Sequence, residues 1–452
     1  MPVKLCSIEL PDFGEEIAKP ELSPATYKSR CCELYSRAGC DWVVVYADRE
    51  HFANIAFLSG FEPRFEEALL LLGPAERRVI VTGNECQPYA QLSKLPGVQV
   101  VLAQSMSLMG QDRALRPKLV DVLREAGIST GDTIGLVGWK YLESYEWEID
   151  APAFFVPVVI FEALRKAVGS GGIREVTACL MHPETGLRSV IDADQIAEFE
   201  WSAARASRAL WRILSGTREN ESEFEAVARM GYEGDPFNVH LMFASNSGGS
   251  ITGLRSPTSR KIGRGDGVTS AIGFWGGLSS RAGLVTDYDE KFLKIASTYF
   301  EGLITWYETA KLGVEGGTVF AAVSETLARG GLRSALNPGH LTGHDEWIHS
   351  PVRPKSMERL RSGMPFQIDI IPVPLRDGWS LNCEDPVTLA DSALRLELKT
   401  KYPQLWRRTE IRRRFVGEKL GVEIPESTVL LSSTPLCLPP FWLAPTMLLT
   451  SA

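Results

Sequence analysis

The hydrophobic rhythm changes between the two halves of the chain. From residue 24 to about 168, apolar runs alternate with helical patterns. A helix over 24–39 precedes CDWVVVYAD (40–48), which reads as a buried strand. EALLLLG and RRVIVTG are two further apolar runs closed by glycine. GVQVVLAQ and DTIGLVG continue the series, with RPKLVDVLREAG as an intervening helix. Short apolar runs separated by amphipathic helices predict an α/β unit with a mixed or parallel sheet. Residues 152–168 read as a helix leading out of it. The second half opens on DADQIAEFEWSAARASRALWRILSG (192–216), a long helix with an acidic cap and a closing glycine. SEFEAVARMGYEG begins another helix. Short strands rich in Gly and Pro follow, with helices around 288–313 and 317–330, a pattern that predicts an α+β unit of antiparallel hairpins under helices. The expected organisation is an α/β domain over 1–185, an α+β domain over 186–390 and an extension over 391–452. The extension holds an amphipathic helix and the apolar end LSSTPLCLPPFWLAPTMLL, which either offers a partner surface or folds back on its own domain.

Composition narrows the function classes. The 452 residues are 44% apolar and 23% charged, with net charge −8 and pI near 5.5, which argues against nucleic-acid or anionic-membrane partners. The one basic run, RRTEIRRRF at 407–415, reads as a solvated helix face. Eight scattered cysteines form no CxxC pair, so neither a zinc framework nor a dense disulfide scaffold is expected. The start of the chain lacks a signal-peptide core. The most apolar windows are broken by proline and shorter than the ~20 residues of a membrane helix. A reducing cytoplasm fits these features best.

Candidate chemistry comes from three segments. PGHLTGHDEWIHSP (338–351) carries His340, His344 and His349, three of six histidines in the chain. In GDGVTSAIGFWGGLSSRAGLV (265–285), a tight turn centred on Gly276–Gly277 places Ala271 directly opposite Ala282. In GMPFQIDIIPVPLRDGWSLNCEDPVTL (363–389), a turn centred on Arg376–Asp377 places Asp369 opposite Glu384. Centring on Asp377–Gly378 keeps the two on one face as diagonal neighbours, and a three-residue loop separates them. Two carboxylates facing each other need a cation, a shared proton or strong donors between them.

These segments, with LRSVIDADQIAEFEWSAA and RKIGRGDGVTSAIG, resemble in order the motifs of the creatinase/aminopeptidase P family over about 190–390. The resemblance implies a pita-bread C-terminal domain behind an α/β N-terminal domain, and homodimers. Metal-dependent members hold two ions with two aspartates, a histidine and two glutamates. By resemblance these positions fall at Ala271, Ala282, His340, Asp369 (shorter by one methylene than a glutamate) and Glu384. Alanine has no lone pair, so a dinuclear centre is not expected. His340, Asp369 and Glu384 are the kinds of residue that hold a single divalent metal. Creatinase offers a metal-free precedent, but its catalytic histidine would fall in GSITGLRSPTSRK (249–261), which has none; Leu254 and Arg255 stand there.

The expected catalytic residues are therefore His340, Asp369 and Glu384, with His349 and Arg255 touching a small-molecule or peptide-like substrate and no resident metal. Three functions are open: a hydrolase of a C–N or amide bond without two metals, a catalytically inactive binding module, and a genuine Xaa-Pro aminopeptidase. His51, His182 and His240 read as structural or surface residues.

Overall fold

A computed structural model of the chain describes residues 3–114 and 118–451. The opening Arg116–Pro117 of the segment read as RPKLVDVLREAG lies outside the described residues. Two compact units form, one of Leu22–Ser189 and the other of Met1–Glu21 with Val190–Ala452. The first strand, β1 (Val3–Ser7), belongs with the second unit, as does the whole tail beyond residue 390.

The unit of residues 22–189 is α/β. α1 (Pro24–Ala38) starts where the Ser23 side chain accepts from the Thr26 N–H, and it ends at Gly39 in the left-handed region. β2 (Trp42–Ala47), α2 (Ala53–Ser59), β3 (Ala68–Gly73), β4 (Arg77–Thr82), α3 (Cys86–Ala90) and β5 (Gln99–Leu102) follow. α4 (Leu119–Glu125), β6 (Ile134–Val137), α5 (Val158–Val168), β7 (Ile173–Glu175) and α6 (Ala178–Met181) complete the unit. The sheet order is β5-β4-β3-β2-β6-β7. It is mixed: β2–β3 and β3–β4 run antiparallel, while β4–β5, β2–β6 and β6–β7 run parallel. The continuous apolar runs of β2 and β3 are central strands buried along their whole length.

The other unit is α+β. α7 (Ala193–Gly216) is capped by Asp192, whose side chain accepts from the Gln195 N–H. α8 (Glu223–Val227), β8 (Met242–Asn246), β9 (Gly267–Phe274), β10 (Gly277–Leu284), α9 (Glu290–Thr309), α10 (Gly316–Arg329), β11 (Arg333–Ser334), β12 (His340–Leu341), β13 (Pro365–Ile368), β14 (Pro372–Val373) and β15 (Asn382–Leu389) follow. The tail adds α11 (Ser392–Lys401), α12 (Pro403–Lys419), β16 (Thr428–Leu430) and β17 (Met447–Ser451). The main sheet runs β12-β13-β15-β10-β9-β8, with β16 also paired to β15, and every pairing is antiparallel.

The first hairpin departs from the register expected from sequence. Phe274 pairs with Gly277, so the turn is centred on Trp275–Gly276, and Ala271 faces Ser280 while Ala282 faces Thr269. Gly276 alone has a positive φ, 83°. Gly277 is glycine for another reason: a Cβ there would lie 2.6 Å from the Ala203 Cα of α7. Gly276 serves both the turn and the packing, since a Cβ there would lie 1.9 Å from the Phe199 ring of α7. The two alanines are thus diagonal neighbours on one face, not a directly opposed pair.

Two further readings change. The run at 407–415 is not a solvated face. Arg408 and Arg412 are buried and ion-paired with Glu200 of α7, the closest contacts being 2.7 Å from each arginine. Arg407 and Arg414 of the run are exposed. The apolar end folds back on its own unit. β16 extends the main sheet, Trp442 is buried, and β17 pairs with β1. Among the described residues no helix is long and apolar enough to cross a membrane.

Candidate functional site

The antiparallel register gathers one face of the main sheet. β13 pairs with β15 up to Ile368 opposite Asp385. One further step places Asp369 opposite Glu384, although residues 369–381 form a long excursion in which β14 pairs with β11. Ser280 faces Glu384 across β10–β15, and His340 faces Gln367 across β12–β13. Because side chains alternate along a strand, His340, Gln367, Asp369, Glu384, Asn382, Ser280, Ala282 and Ala271 share this face. The face is nearly closed: Asp369 is 5%, Glu384 7%, Ala271 7% and Asn382 9% exposed, while His340 and Gln367 are at 0%, Ala282 at 1% and Ser280 at 3%.

The loop after β12 supplies a group the sequence did not single out. Leu341 N donates to His349 O and Ile348 N to Leu341 O, so the loop doubles back on β12. That return brings Glu346 Oε1 to 2.9 Å from His340 Nε2 and lays the Trp347 indole flat on the imidazole, ring centres 4.0 Å apart. His340 is fully buried. Burial alone disfavours its charged form. The Glu346 carboxylate outweighs burial, with help from the Leu341 carbonyl, and raises the pKa above the ordinary imidazole value.

Asp369 and Glu384 behave as a pair. Burial, then the charges of Glu384 and Glu346, hold the Asp369 carboxyl well above the usual carboxylate range. Burial and Glu346 likewise push Glu384 up to about 7, against the stabilising donors Asn382 and Gln367 and the charge of His340. Two facing buried carboxyls resist ionising together, so the pair favours holding a proton. Asn382 Nδ2 donates to Glu384 Oε1, and Tyr299 donates to Asn382 Oδ1 at 3.2 Å. Gln367 Nε2 donates to the Leu278 carbonyl at 3.0 Å and lies 3.4 Å from Glu384 Oε2. Those two acceptors fix the amide orientation and leave Gln367 Oε1 facing elsewhere. Among the described residues, neither Gln367 Oε1 nor Asp369 Oδ1 has a hydrogen-bond partner.

His340, Asp369 and Glu384 therefore come together, with Glu346, Gln367 and Asn382 as additions. Glu346 had only a weak sequence signal, an acid six residues after His340. The other two candidates lie elsewhere. Arg255 sits beside the edge strand β8, its carbonyl accepting from Phe243 N, and its guanidinium pairs with the buried Glu223 at 2.6 Å. His349 bridges Leu341, a pairing that directs its side chain to the face opposite that of His340. His344 packs edge-on against Trp275, 4.0 Å from Glu198. Among the described residues, no three His, Cys, Asp or Glu side chains are grouped so as to hold a metal ion.

No family model matches the sequence, and no curated protein matches it. Solved structures do match in three dimensions. A prolidase from Thermococcus sibiricus superposes with a TM-score of 0.64 at 18% identity, covering 82% of this chain and 95% of that one. The prolidase from Pyrococcus horikoshii OT3 gives 0.62 at 17% identity, over 80% and 95%. The X-Pro aminopeptidase from Thermotoga maritima MSB8 gives 0.59 at 17% identity, over 79% and 95%. An α/β unit and an α+β unit built on an antiparallel main sheet, alike over nearly the full length of these solved proteins, give this chain the pita-bread fold of the creatinase/aminopeptidase P family.

Proposed function

We propose that the protein is a hydrolase of an amide or related C–N bond in a small, peptide-like substrate, working without a two-metal centre. The observation that carries this reading is the Asp369–Glu384 pair, buried and facing beside His340. The donor set does not fit the dinuclear ion pair of metal-dependent family members. Ala271 and Ala282 supply no oxygen to bridge or neutralise two ions. Single-metal binding at His340, Asp369 and Glu384 fits poorly as well, because Asn382 and Gln367 already donate to Glu384 and Glu346 occupies His340.

The chemistry follows from the protonation states. Glu384, ionised, takes a proton from a water molecule as its oxygen bonds to the carbonyl carbon. Asp369, protonated, donates to the oxygen that gains negative charge. When the C–N bond breaks, Glu384 passes the proton it took from water to the leaving nitrogen, and Asp369 recovers its own from the collapsing intermediate. His340, with Nε2 on Glu346 and Nδ1 3.2 Å from the Leu341 carbonyl, stays in place as a charged neighbour of the pair. Net, one water is added across the bond.

The solved neighbours are named as Xaa-Pro peptidases, which supports a peptide-like substrate. A second reading, a binding module without turnover, draws on one observation: His340 has no exposed surface and Trp347 covers its ring. The deciding experiment combines elemental analysis of protein purified without chelator with turnover of dipeptides and N-substituted guanidines. We expect no stoichiometric metal and a loss of at least 100-fold in kcat for Glu384→Gln and for His340→Ala. Two equivalents of divalent metal would restore the Xaa-Pro aminopeptidase reading. Full turnover in both variants would remove the site. The homodimer implied by the family resemblance is part of this proposal, and light scattering at micromolar concentration tests it.

A further inference from the structure

Along α7, Glu198, Trp201, Arg205 and Arg208 recur every three or four residues and so form one stripe of the helix. Residues 8–21, which follow β1 without helix or strand, run along this stripe. Glu15 pairs with Arg208 at 2.7 Å, and Lys19 Nζ reaches Glu198 Oε1 at 2.9 Å. The acid and base of the arm thus meet the base and acid of the helix.

Lys19 is held by more than a carboxylate. Its Nζ lies 5.3 Å from the centre of the Trp275 ring and 5.9 Å from that of Trp201, both inside the roughly 6 Å at which an indole attracts a cation. Trp275 is the nearer wall, and Trp201 is shared with the Arg205 guanidinium at 4.7 Å. The Glu198 side chain is 8% exposed and takes a second donor, Gln195 Nε2, at 2.5 Å. A buried carboxylate and two indoles around one ammonium make a cation cage. Lys19 keeps 32% of its side chain in solvent, so the cage opens to water.

The same groups hold the loop that closes the carboxyl face. His344 lies edge-on to Trp275, ring centres 5.0 Å apart, and 4.0 Å from Glu198 Oε2. Beside it, the Gly343 carbonyl accepts from Gly276 N at 2.7 Å, in the turn that carries Trp275. Two residues beyond His344 stands Glu346, which contacts His340, followed by Trp347, which covers the imidazole. A cation that fixes Trp275 and Glu198 therefore fixes the near shoulder of this loop.

We infer that Glu198, Trp201 and Trp275 form a site for a primary ammonium, filled within the chain by Lys19, and that this contact latches the 343–349 loop over the carboxyl face. The inference rests on the functional reading for the importance of that closure, and its test needs no substrate.

Amide hydrogen exchange of the full chain reads the latch at Gly276, Leu341 and Ile348, whose N–H groups bond to the Gly343, His349 and Leu341 carbonyls. Lys19→Ala should speed all three by on the order of tenfold and leave the amides of β15 unchanged. Lys19→Arg should exchange close to the wild type. Ethylammonium chloride, which replaces the missing end of Lys19, should restore slow exchange in Lys19→Ala, and sodium chloride at the same concentration should not. Glu198→Gln should loosen the loop in the same way and should not respond to ethylammonium. Should Lys19→Ala not fold, Glu198→Gln carries the loop test alone, and an unchanged loop there overturns the latch. Faster exchange at Ile8, which bonds to the Thr446 carbonyl, without any change in the loop would make Lys19 an anchor of the arm only and overturn the latch as well. Equal effects of the two salts would overturn the cation site. A loop that responds as expected in a protein without turnover keeps the latch and removes only the hydrolase reading.

Discussion

Glu384 and Asp385 are consecutive residues of β15, both buried, and they point to opposite faces of one sheet. Asp385 faces Arg281, which sits next to Ser280 on the partner strand. Arg281 Nη2 reaches both Asp385 oxygens at 2.9 and 3.0 Å, and Leu436 N adds a third bond at 2.9 Å. Nη2 also donates to the Thr434 carbonyl, Nη1 donates to those of Ser280 and Glu384, and Nε donates to that of Cys437. Every donor and charge there is answered from within the chain, the outer ones by the folded-back tail. Across the sheet, Glu384 meets a second carboxyl, a third acid on the next loop and one imidazole. The contrast separates two uses of a buried carboxylate. One closes a fold around a complete set of partners, and the other holds an incomplete set that a substrate or a proton must finish.

The largest expected effect breaks the complete side. Arg281→Met leaves Asp385 buried without its cation, and removing one partner of such a pair costs about 3–5 kcal/mol. Chemical denaturation should show that loss, or the protein should fail to accumulate folded. A change below about 1 kcal/mol would mean that the tail's carbonyls, not the ion pair, organise this face.

Glu384→Gln on the other face should do the reverse. The folded protein holds Glu384 at about 7, above the unfolded carboxylate value, so between the two the native state binds the extra proton. Native stability therefore falls as pH rises from the ordinary carboxylate range through 7. A neutral glutamine removes that slope. The variant should match the wild type near pH 5 and exceed it at pH 8 by on the order of 2 kcal/mol, while losing turnover. Denaturant midpoints at the two pH values measure it. A variant less stable at pH 8 would show that Glu384 is a paired structural carboxylate like Asp385.

How much of this was legible in the sequence follows from where the information lies. The fully buried strands β2 and β3 stand out as apolar runs because no neighbour is needed to recognise them. The opposition of Asp369 and Glu384 was readable from parity, since register depends on an even or odd count of residues. The first hairpin was misread because a Gly-Gly pair suggests a turn centred on both residues, whereas both lie close against α7 and only Gly276 takes a positive φ. The Arg408–Glu200 and Arg412–Glu200 pairs join residues about two hundred positions apart, so the basic run gave no sign that half of it is buried. Glu346 was within sight of His340, but its role depends on a loop reversal that no local propensity encodes.

Glu346→Gln is the smallest expected change and the most discriminating. Glu346 is about a quarter exposed, so solvent screens it, and its contribution to stability should stay under about 1 kcal/mol. Its influence on His340 is larger. Burial pushes that imidazole toward the neutral form, and Glu346 is the first of the opposing causes. Without it, the ring should titrate below the ordinary value of about 6.5 instead of above it. The consequences for folding change sign with pH. The raised pKa of His340 contributes stability that is complete below the ordinary imidazole value and fades as pH rises through the folded value, so the variant is the less stable protein at pH 5. Glu346 also raises Glu384 and Asp369, so its removal relieves repulsion once they ionise, and the variant gains slightly at pH 8. A crossover between these pH values, together with a downward shift of the His340 Cε1–H titration by NMR, would tie the loop acid to both the imidazole and the carboxyl pair. An unshifted titration would leave His340 governed by Trp347 and burial alone, and Glu346 would have no part in setting its charge.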